Sequence, residues 1–368
     1  MFIELLFCFL VTISFIIISK RLSKNLNFMI DIPNNRSSHT TPKPKSGGLG
    51  IFFAIILTIA VFNHRFIIDN IYFFISLLLI FFIGVIDDLV NASPKYKFLF
   101  ITLSAFIMFF FADIKLDTLG EWFNINLSLP YILSIVLTVI MINGFTNAIN
   151  LIDGLDGLAG GISLVILSSF LYLGIKFDDY FIIYISSVFI SSLIAFLLFN
   201  WYPSRLFLGD SGSLVLGFTI SVLSLKLLDY VNITTILFLL LIPIVDTLIV
   251  MIRRSIRKQS PFKADKSHIH HKIFKWKEKV DYSVFIIVFL QIVFSLIAFL
   301  TINQNNFLNL FIFLFVFILF FILFDERKKP RFDYLITYNI KLTNFILNKK
   351  NKVLIVILLL SVLLIFNK

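Results

Sequence analysis

Eleven apolar runs follow one another along this chain, near residues 2–19, 47–62, 71–86, 98–112, 130–149, 158–175, 180–199, 212–228, 233–251, 283–301 and 307–324. A membrane helix needs about 20 mostly apolar residues. The pattern therefore predicts an all-α polytopic membrane protein with about eleven transmembrane helices. A soluble globular fold is excluded, because 59% of the residues are apolar and only 14% are charged, against about 25% charged in ordinary soluble domains. The first run carries Glu4 and no basic residue ahead of it, and it ends at Ser19-Lys20-Arg21 without a small-residue cleavage site. It reads as an uncleaved helix rather than a signal peptide. The only cysteine, Cys8, lies in that run. An intramolecular disulfide is thus impossible, and a cysteine-based metal site has no ligands to draw on.

The net charge of +11 acquires meaning from its distribution. With the N-terminus outside, inner loops 20–46, 87–97, 200–211, 252–282 and 325–331 hold 23 of the 32 Lys and Arg residues, whereas the outer loops hold 4. This asymmetry sets orientation by the positive-inside rule, and no nucleic-acid partner is needed to explain it. The division expected is a single membrane domain over 1–331 and a C-terminal extension over 332–368. The extension's apolar run at 353–366 is short for a span and reads as an interfacial helix. In the loop at 113–129, Phe123, Ile125, Leu127 and Leu129 alternate with Asn124, Asn126 and Ser128, a period of two that predicts a short external β-hairpin. No internal repeat is visible, which weakens a transporter built from inverted repeats.

Asp87, Asp88, Asp153, Asp156 and Asp210 come from three separate stretches, yet all fall at the inner ends of predicted spans. Carboxylates beside a membrane span are expensive and point to function. Adjacent residues on a helix diverge by about 100°, so one of Asp87 and Asp88 can face a site while the other faces a neighbouring helix or cation. In Asn147-Ala-Ile-Asn150-Leu-Ile-Asp153-Gly-Leu-Asp156-Gly157 the polar residues recur every third position. On a helix they form a slowly drifting stripe of oxygens suited to hydrated magnesium, with helix–helix hydrogen bonding as the alternative. Leu208-Gly209-Asp210-Ser211-Gly212-Ser213 opens the span near 212. Its free N–H groups suit an anion, with Asp210 holding a metal, although Asp or Ser as a plain N-cap explains the same letters.

Two inner loops are cationic. The longer one holds Arg253, Arg254, Arg257, Lys258, Lys263 and Lys266, followed by His268-Ile269-His270-His271. These histidines read as phosphate donors, zinc ligands or solvated loop residues. Zinc is poorly supported because Asp265 and Glu278 complete no familiar spacing. The first inner loop places Arg36, His39, Lys43 and Lys45 among prolines and ahead of Gly47-Gly48, a stiff cationic segment that suits phosphate or an anionic lipid headgroup.

In order and on a common side, these motifs resemble the polyprenyl-phosphate N-acetylhexosamine-1-phosphate transferases, a family that includes the undecaprenyl-phosphate GlcNAc-1-phosphate transferases and phospho-MurNAc-pentapeptide translocase. The resemblance runs from Asp31 to His271. Pro42 to Gly48 and His268 to His271 look like the aminosugar branch, and Arg36-Ser-Ser-His39 looks most like enzymes that initiate O-antigen or related surface polysaccharides. It implies transfer of an aminosugar 1-phosphate from a UDP-aminosugar to undecaprenyl phosphate, giving UMP. The enzyme would be Mg²⁺-dependent, with Mn²⁺ as a substitute, and would work at the cytoplasmic face of a bacterial inner membrane; a homodimer is left open.

By the same resemblance Asp87 and Asp88 are the catalytic pair, and Asp210, Asp153 and Asn150 hold the metal. Asn147, Asn150, Asp153, Asp156, Lys45, Lys97, His268, His270 and His271 bind substrate. Many relatives have Asp where this chain has Asn91, which puts a metal role there in doubt. Pro243-x-x-Asp246 also resembles the family and suggests a structural role. The competing class is a transporter or flippase for an anionic lipid, which ordinarily sets its charges near the bilayer midplane.

Overall fold

The computed structural model describes residues 1–26, 28–33, 41–122, 125–258 and 268–324. It is built from fourteen helices and two short antiparallel strand pairs among these residues. In order they are α1 (Phe2–Leu26), β1 (Ile30–Asp31), β2 (Lys43–Pro44), α2 (Gly47–Phe62), α3 (His64–Asp69), α4 (Ile71–Val90) and α5 (Pro94–Phe111). Then follow β3 (Thr118–Trp122), β4 (Ile125–Ser128), α6 (Tyr131–Ile152), α7 (Leu158–Phe177), α8 (Tyr180–Asn200) and α9 (Asp210–Leu227). The last are α10 (Ile233–Leu239), α11 (Leu241–Ile256), α12 (Ile269–Lys277), α13 (Val280–Leu300) and α14 (Asn306–Leu323).

The protein is an all-α polytopic membrane protein. Nine described helices are long and apolar enough to cross a membrane, or ten if the bent pair α10 and α11 is one span, and α2 is apolar but shorter at 16 residues. Every one of the eleven apolar runs coincides with helix. The chain divides into two compact units, Met1–Phe317 and Ile318–Lys368. The described part of the second is the end of α14 and Phe324. The expected boundary at 331/332 and the expected helix at 353–366 lie outside the described residues.

Burial ranks the helices. Within its most apolar window α9 is 89% buried, whereas α1 is 22% buried, so α9 is the central helix and α1 lies at the rim. The sequence of α9 allows this because Gly212, Gly217, Ser213, Thr219 and Ser221 are small, and small residues let helix backbones approach closely in membranes. Added to Gly217, a Cβ would lie 2.7 Å from the Thr146 carbonyl oxygen of α6. Added to Gly84 of α4, it would lie 2.6 Å from the Cα of Ser211. Gly48 of α2 abuts the backbone of Gly212 in the same way. Two helices, α2 and α4, thus converge on the N-terminal turn of α9, and α6 packs against it two turns further along.

The run at 233–251, read as one span, is two helices meeting at 85°. Pro243 sits in the first turn of α11, where its missing N–H is tolerated, and it cannot continue the hydrogen-bond ladder back into α10. In a bilayer the freed groups need internal partners. Fully buried Gln291 of α13 supplies them, donating from Nε2 to the Leu239 carbonyl at 2.8 Å and accepting at Oε1 from the Ile242 N–H at 3.4 Å.

The expected β-hairpin is present, with Thr118 paired to Ser128 and Trp122 to Ile125. Phe123 and Asn124 lie outside the described residues. Asn306 donates from Nδ2 to the Glu121 carbonyl at 2.8 Å and accepts from the Thr234 hydroxyl at 2.8 Å, tying the hairpin to the starts of α10 and α14.

Candidate active site

Asp87 and Asp88 end α4 and diverge as adjacent helical residues must. Asp88 turns to α9, where Oδ1 accepts from the Asp210 N–H and Oδ2 from the Ser211 N–H, each at 2.9 Å. A carboxylate at a helix N-terminus satisfies orphan N–H groups and meets the positive end of the dipole. The N-cap residue itself, Gly209, lies at φ 74° and gives no side-chain cap. A Cβ there would meet Asp88 and the Lys45 carbonyl. Contrary to the N-cap expected from the sequence, neither Ser211 nor Ser213 caps α9, and the anion at its start is a protein carboxylate from another helix.

Asp87 faces the other way. Lys97 donates to Asp87 Oδ2 at 2.9 Å and also to Asp210, so one ammonium joins the carboxylates of α4 and α9. Lys97, expected in a loop, lies in the first turn of α5, which Pro94 opens and Ser93 caps. Asn91 is the left-handed C-cap of α4 at φ 51°, a conformation that Asn tolerates better than most side chains. Its backbone N–H donates to the Asp87 carbonyl at 2.9 Å.

The stripe on α6 divides at the helix end. Asn147 donates back to the Asn143 carbonyl at 2.8 Å, within its own helix. Asn150 instead crosses to α9 and donates to the Ser213 hydroxyl at 2.8 Å. Asp153 is the C-cap residue, just beyond α6. Burial, and then the charges of Asp210, Asp88 and Asp156, push its carboxyl up to about 8, against the pull of Lys45. Asp156 forms a latch. Its Oδ2 accepts from the Ser204 N–H at 2.9 Å and from Lys43 at 3.4 Å, and Lys43 also donates to the Ser204 hydroxyl at 2.9 Å. Lys45 pairs with Asp31 at 3.3 Å, beside the pairing of β1 with β2. Arg36, His39, Lys263 and Lys266 lie outside the described residues.

The three histidines sit at the start of α12. His268 Nδ1 is 2.9 Å from Asp246 Oδ2, and the Ile269 N–H donates to Asp246 Oδ1 at 2.6 Å. His270 stacks between His268 and His271, with ring centroids 5.7 and 4.2 Å away, and presses against Gly154. Both of its ring nitrogens are buried without a hydrogen-bond partner. Burial holds its pKa down at about 3, so the ring is neutral at physiological pH. The solvated-loop alternative fails for His268 and His270, which are 5% and 2% exposed.

The residues from α4, α5, α6, α9 and α12 thus meet at one end of the bundle. Six carboxylates there, Asp31, Asp87, Asp88, Asp153, Asp156 and Asp210, face three ammonium groups, those of Lys43, Lys45 and Lys97. That excess of carboxylates over ammonium groups suits a divalent cation. No cluster of three or more His, Cys, Asp or Glu in metal-holding geometry occurs among the described residues. Mg²⁺ does not require one, since it keeps several waters and takes one or two carboxylates together with substrate phosphates.

The structure thus sets a carboxylate-rich site at one end of a bundle of membrane helices, and this chain belongs to glycosyl transferase family 4, whose match covers residues 70–228. It is similar to the probable undecaprenyl-phosphate N-acetylglucosaminyl 1-phosphate transferase of Bacillus subtilis, at 35% identity over 285 residues, 76% of this chain and 79% of that one. It is also similar to the undecaprenyl-phosphate alpha-N-acetylglucosaminyl 1-phosphate transferase of Thermotoga maritima, at 33% identity over 73% of this chain and 80% of the relative. A phospho-N-acetylmuramoyl-pentapeptide-transferase of Clostridium acetobutylicum is 26% identical over 70% of this chain and 84% of its own.

Proposed function

We propose that this protein transfers an N-acetylaminosugar 1-phosphate from a UDP-sugar to undecaprenyl phosphate at the cytoplasmic face of a bacterial inner membrane, initiating an O-antigen or related surface polysaccharide. The observation that carries the reading is the Asp87–Lys97–Asp210 bridge beside Asn150 and Asp153. The orientation rests on the 23 basic residues of the inner loops against 4 outside.

In this reading an oxygen of the lipid phosphate attacks the phosphorus that carries the sugar, the bond from that phosphorus to the bridging oxygen breaks, and UMP leaves with the electron pair. A phosphate monoester has its second pKa near 6, so the nucleophile is largely a dianion at neutral pH and needs little help from a base. Asp87, held by Lys97, positions it. Asp88 is committed to α9 and acts by fixing Asp210. Asp210, Asp153 and Asn150 are the residues that would hold Mg²⁺, which when bound would neutralise diphosphate charge. Lys97 and His268 supply donors to phosphate oxygens, since stabilising charge and aligning the reactants dominate phosphoryl transfer.

The test uses purified protein in nanodiscs with undecaprenyl phosphate and a panel of UDP-N-acetylaminosugars. UMP release and a lipid-linked sugar of the matching mass are expected for at least one donor, abolished by chelation and restored by Mg²⁺ or Mn²⁺. Absence of product from every donor overturns the transferase reading. Trapping of a phosphosugar on Asp87 would replace direct attack by a covalent route.

A further inference from the structure

Asp246 lies outside the cluster of carboxylates just described, yet it is 1% exposed and both of its oxygens are engaged. One oxygen takes the backbone N–H of Ile269, the first residue of α12, and the other meets Nδ1 of His268. A single side chain on α11 thereby fixes the place of α12 and the rotation of an imidazole ring. Because the carboxylate can only accept in this arrangement, Nδ1 carries a proton, and Nε2 is the atom left for any further partner. The ring plane is fixed from the other side as well, since His270 lies nearly parallel to it at 16° and is itself wedged against Gly154, the neighbour of Asp153.

We propose that Asp246 is a positioning residue for the transfer, orienting the His268 ring so that Nδ1 donates to Asp246 and Nε2 donates to the diphosphate of the UDP-sugar. This inference rests on the reading given above, in which His268 meets phosphate. The carboxylate on one side and the diphosphate on the other then enclose the ring, and charge-assisted hydrogen bonds of this kind are about twice as strong as neutral ones. Such a contact exists in the bound ground state as well as in the transition state. Its loss therefore raises KM for the donor more than it lowers kcat.

The experiment is a double-mutant cycle on the full chain, using Asp246→Asn and His268→Ala alone and together. Asn at 246 keeps an acceptor for Ile269, so the anchoring of α12 survives while the negative charge is removed. Asp246→Asn is expected to raise donor KM by about tenfold or more with kcat within about threefold, which a general loss of packing would not produce. In the His268→Ala background the same change is expected to add less than about twofold, because its effect passes through the ring. Equal losses in the two backgrounds overturn the proposal. If Asp246→Asn lowers the yield of folded protein, Asp246→Glu is measured in both backgrounds and judged by the same criterion. Wild-type protein that is inactive with every donor refutes the transferase reading itself, whereas active wild type with additive variants refutes only the role of Asp246.

Discussion

Gly84→Ala offers the sharpest test of how the site is assembled. A Cβ at Gly84 would lie 2.6 Å from Ser211 Cα, 2.8 Å from the Asp210 carbonyl oxygen and 2.8 Å from the Ser211 nitrogen. All three are backbone atoms, so no side chain can rotate away. Ordinary contacts lie at about 3.5–4.0 Å, and the start of α9 must therefore retreat from α4 by about 1 Å. That displacement stretches the two 2.9 Å hydrogen bonds from Asp210 and Ser211 to Asp88 and draws Asp210 away from Lys97. A misplacement of about 1 Å costs roughly 100-fold in rate. The stability cost is smaller, because overpacking of about 1–3 kcal/mol is offset by about 1 kcal/mol from replacing a helical glycine. The assay is UMP release at saturating substrates, with thermal unfolding measured in the same detergent. Gly144→Ala is the control, since nothing lies within 4 Å of a Cβ at that position, and it should leave both quantities near wild type. Turnover of Gly84→Ala within threefold of wild type would refute the argument that this contact sets the position of Asp210.

Three further substitutions separate the roles of the charged side chains. Asp88→Ala leaves two partly buried N–H groups of α9 without acceptors and should lower stability by about 1–3 kcal/mol, read as a drop in the unfolding midpoint together with loss of turnover. Lys97→Met removes the ammonium shared by Asp87 and Asp210, leaving two carboxylates in mutual repulsion; turnover should fall by at least about 100-fold, equivalent to about 2.7 kcal/mol, and a loss below tenfold would argue against the bridge. Lys43→Met removes a donor from both Asp156 and Ser204 and should cost about 1–3 kcal/mol of stability, seen in thermal unfolding.

Much of this arrangement was legible in the sequence, and what was not has physical causes. Hydropathy located all eleven runs because burial in lipid and local helical periodicity are both sequence-near properties. It misjudged ends, as at α1, which continues to Leu26 through Lys20, Arg21 and Lys24; long basic side chains can extend a helix while keeping their charges in water. It also joined α10 to α11, since apolarity does not report a bend and the glutamine that stabilises the break is contributed by α13. The convergence of Asp87, Asp153 and Asp210 was readable as a shared side. The division of labour between Asp87 and Asp88 was not, because it depends on a partner 122 residues away. Asp246 carried only a weak signal for the same reason: its link to His268 spans 22 residues, and no periodicity encodes it.

The grip of Asp88 on α9 also bears on how the chain is made. Lys97 follows Asp87 by only ten residues, so a counter-ion for Asp87 enters the membrane with the next helix. Asp88 has no such early companion, because the amides that receive it lie 122 and 123 residues further on. At a synthesis rate of about 5–20 residues per second, that carboxylate waits roughly 6–25 s at the bilayer edge before α9 emerges. Four helices of the first unit, α5 to α8, are inserted in that interval, and the histidines at the start of α12 follow only after α9 has closed on Asp88.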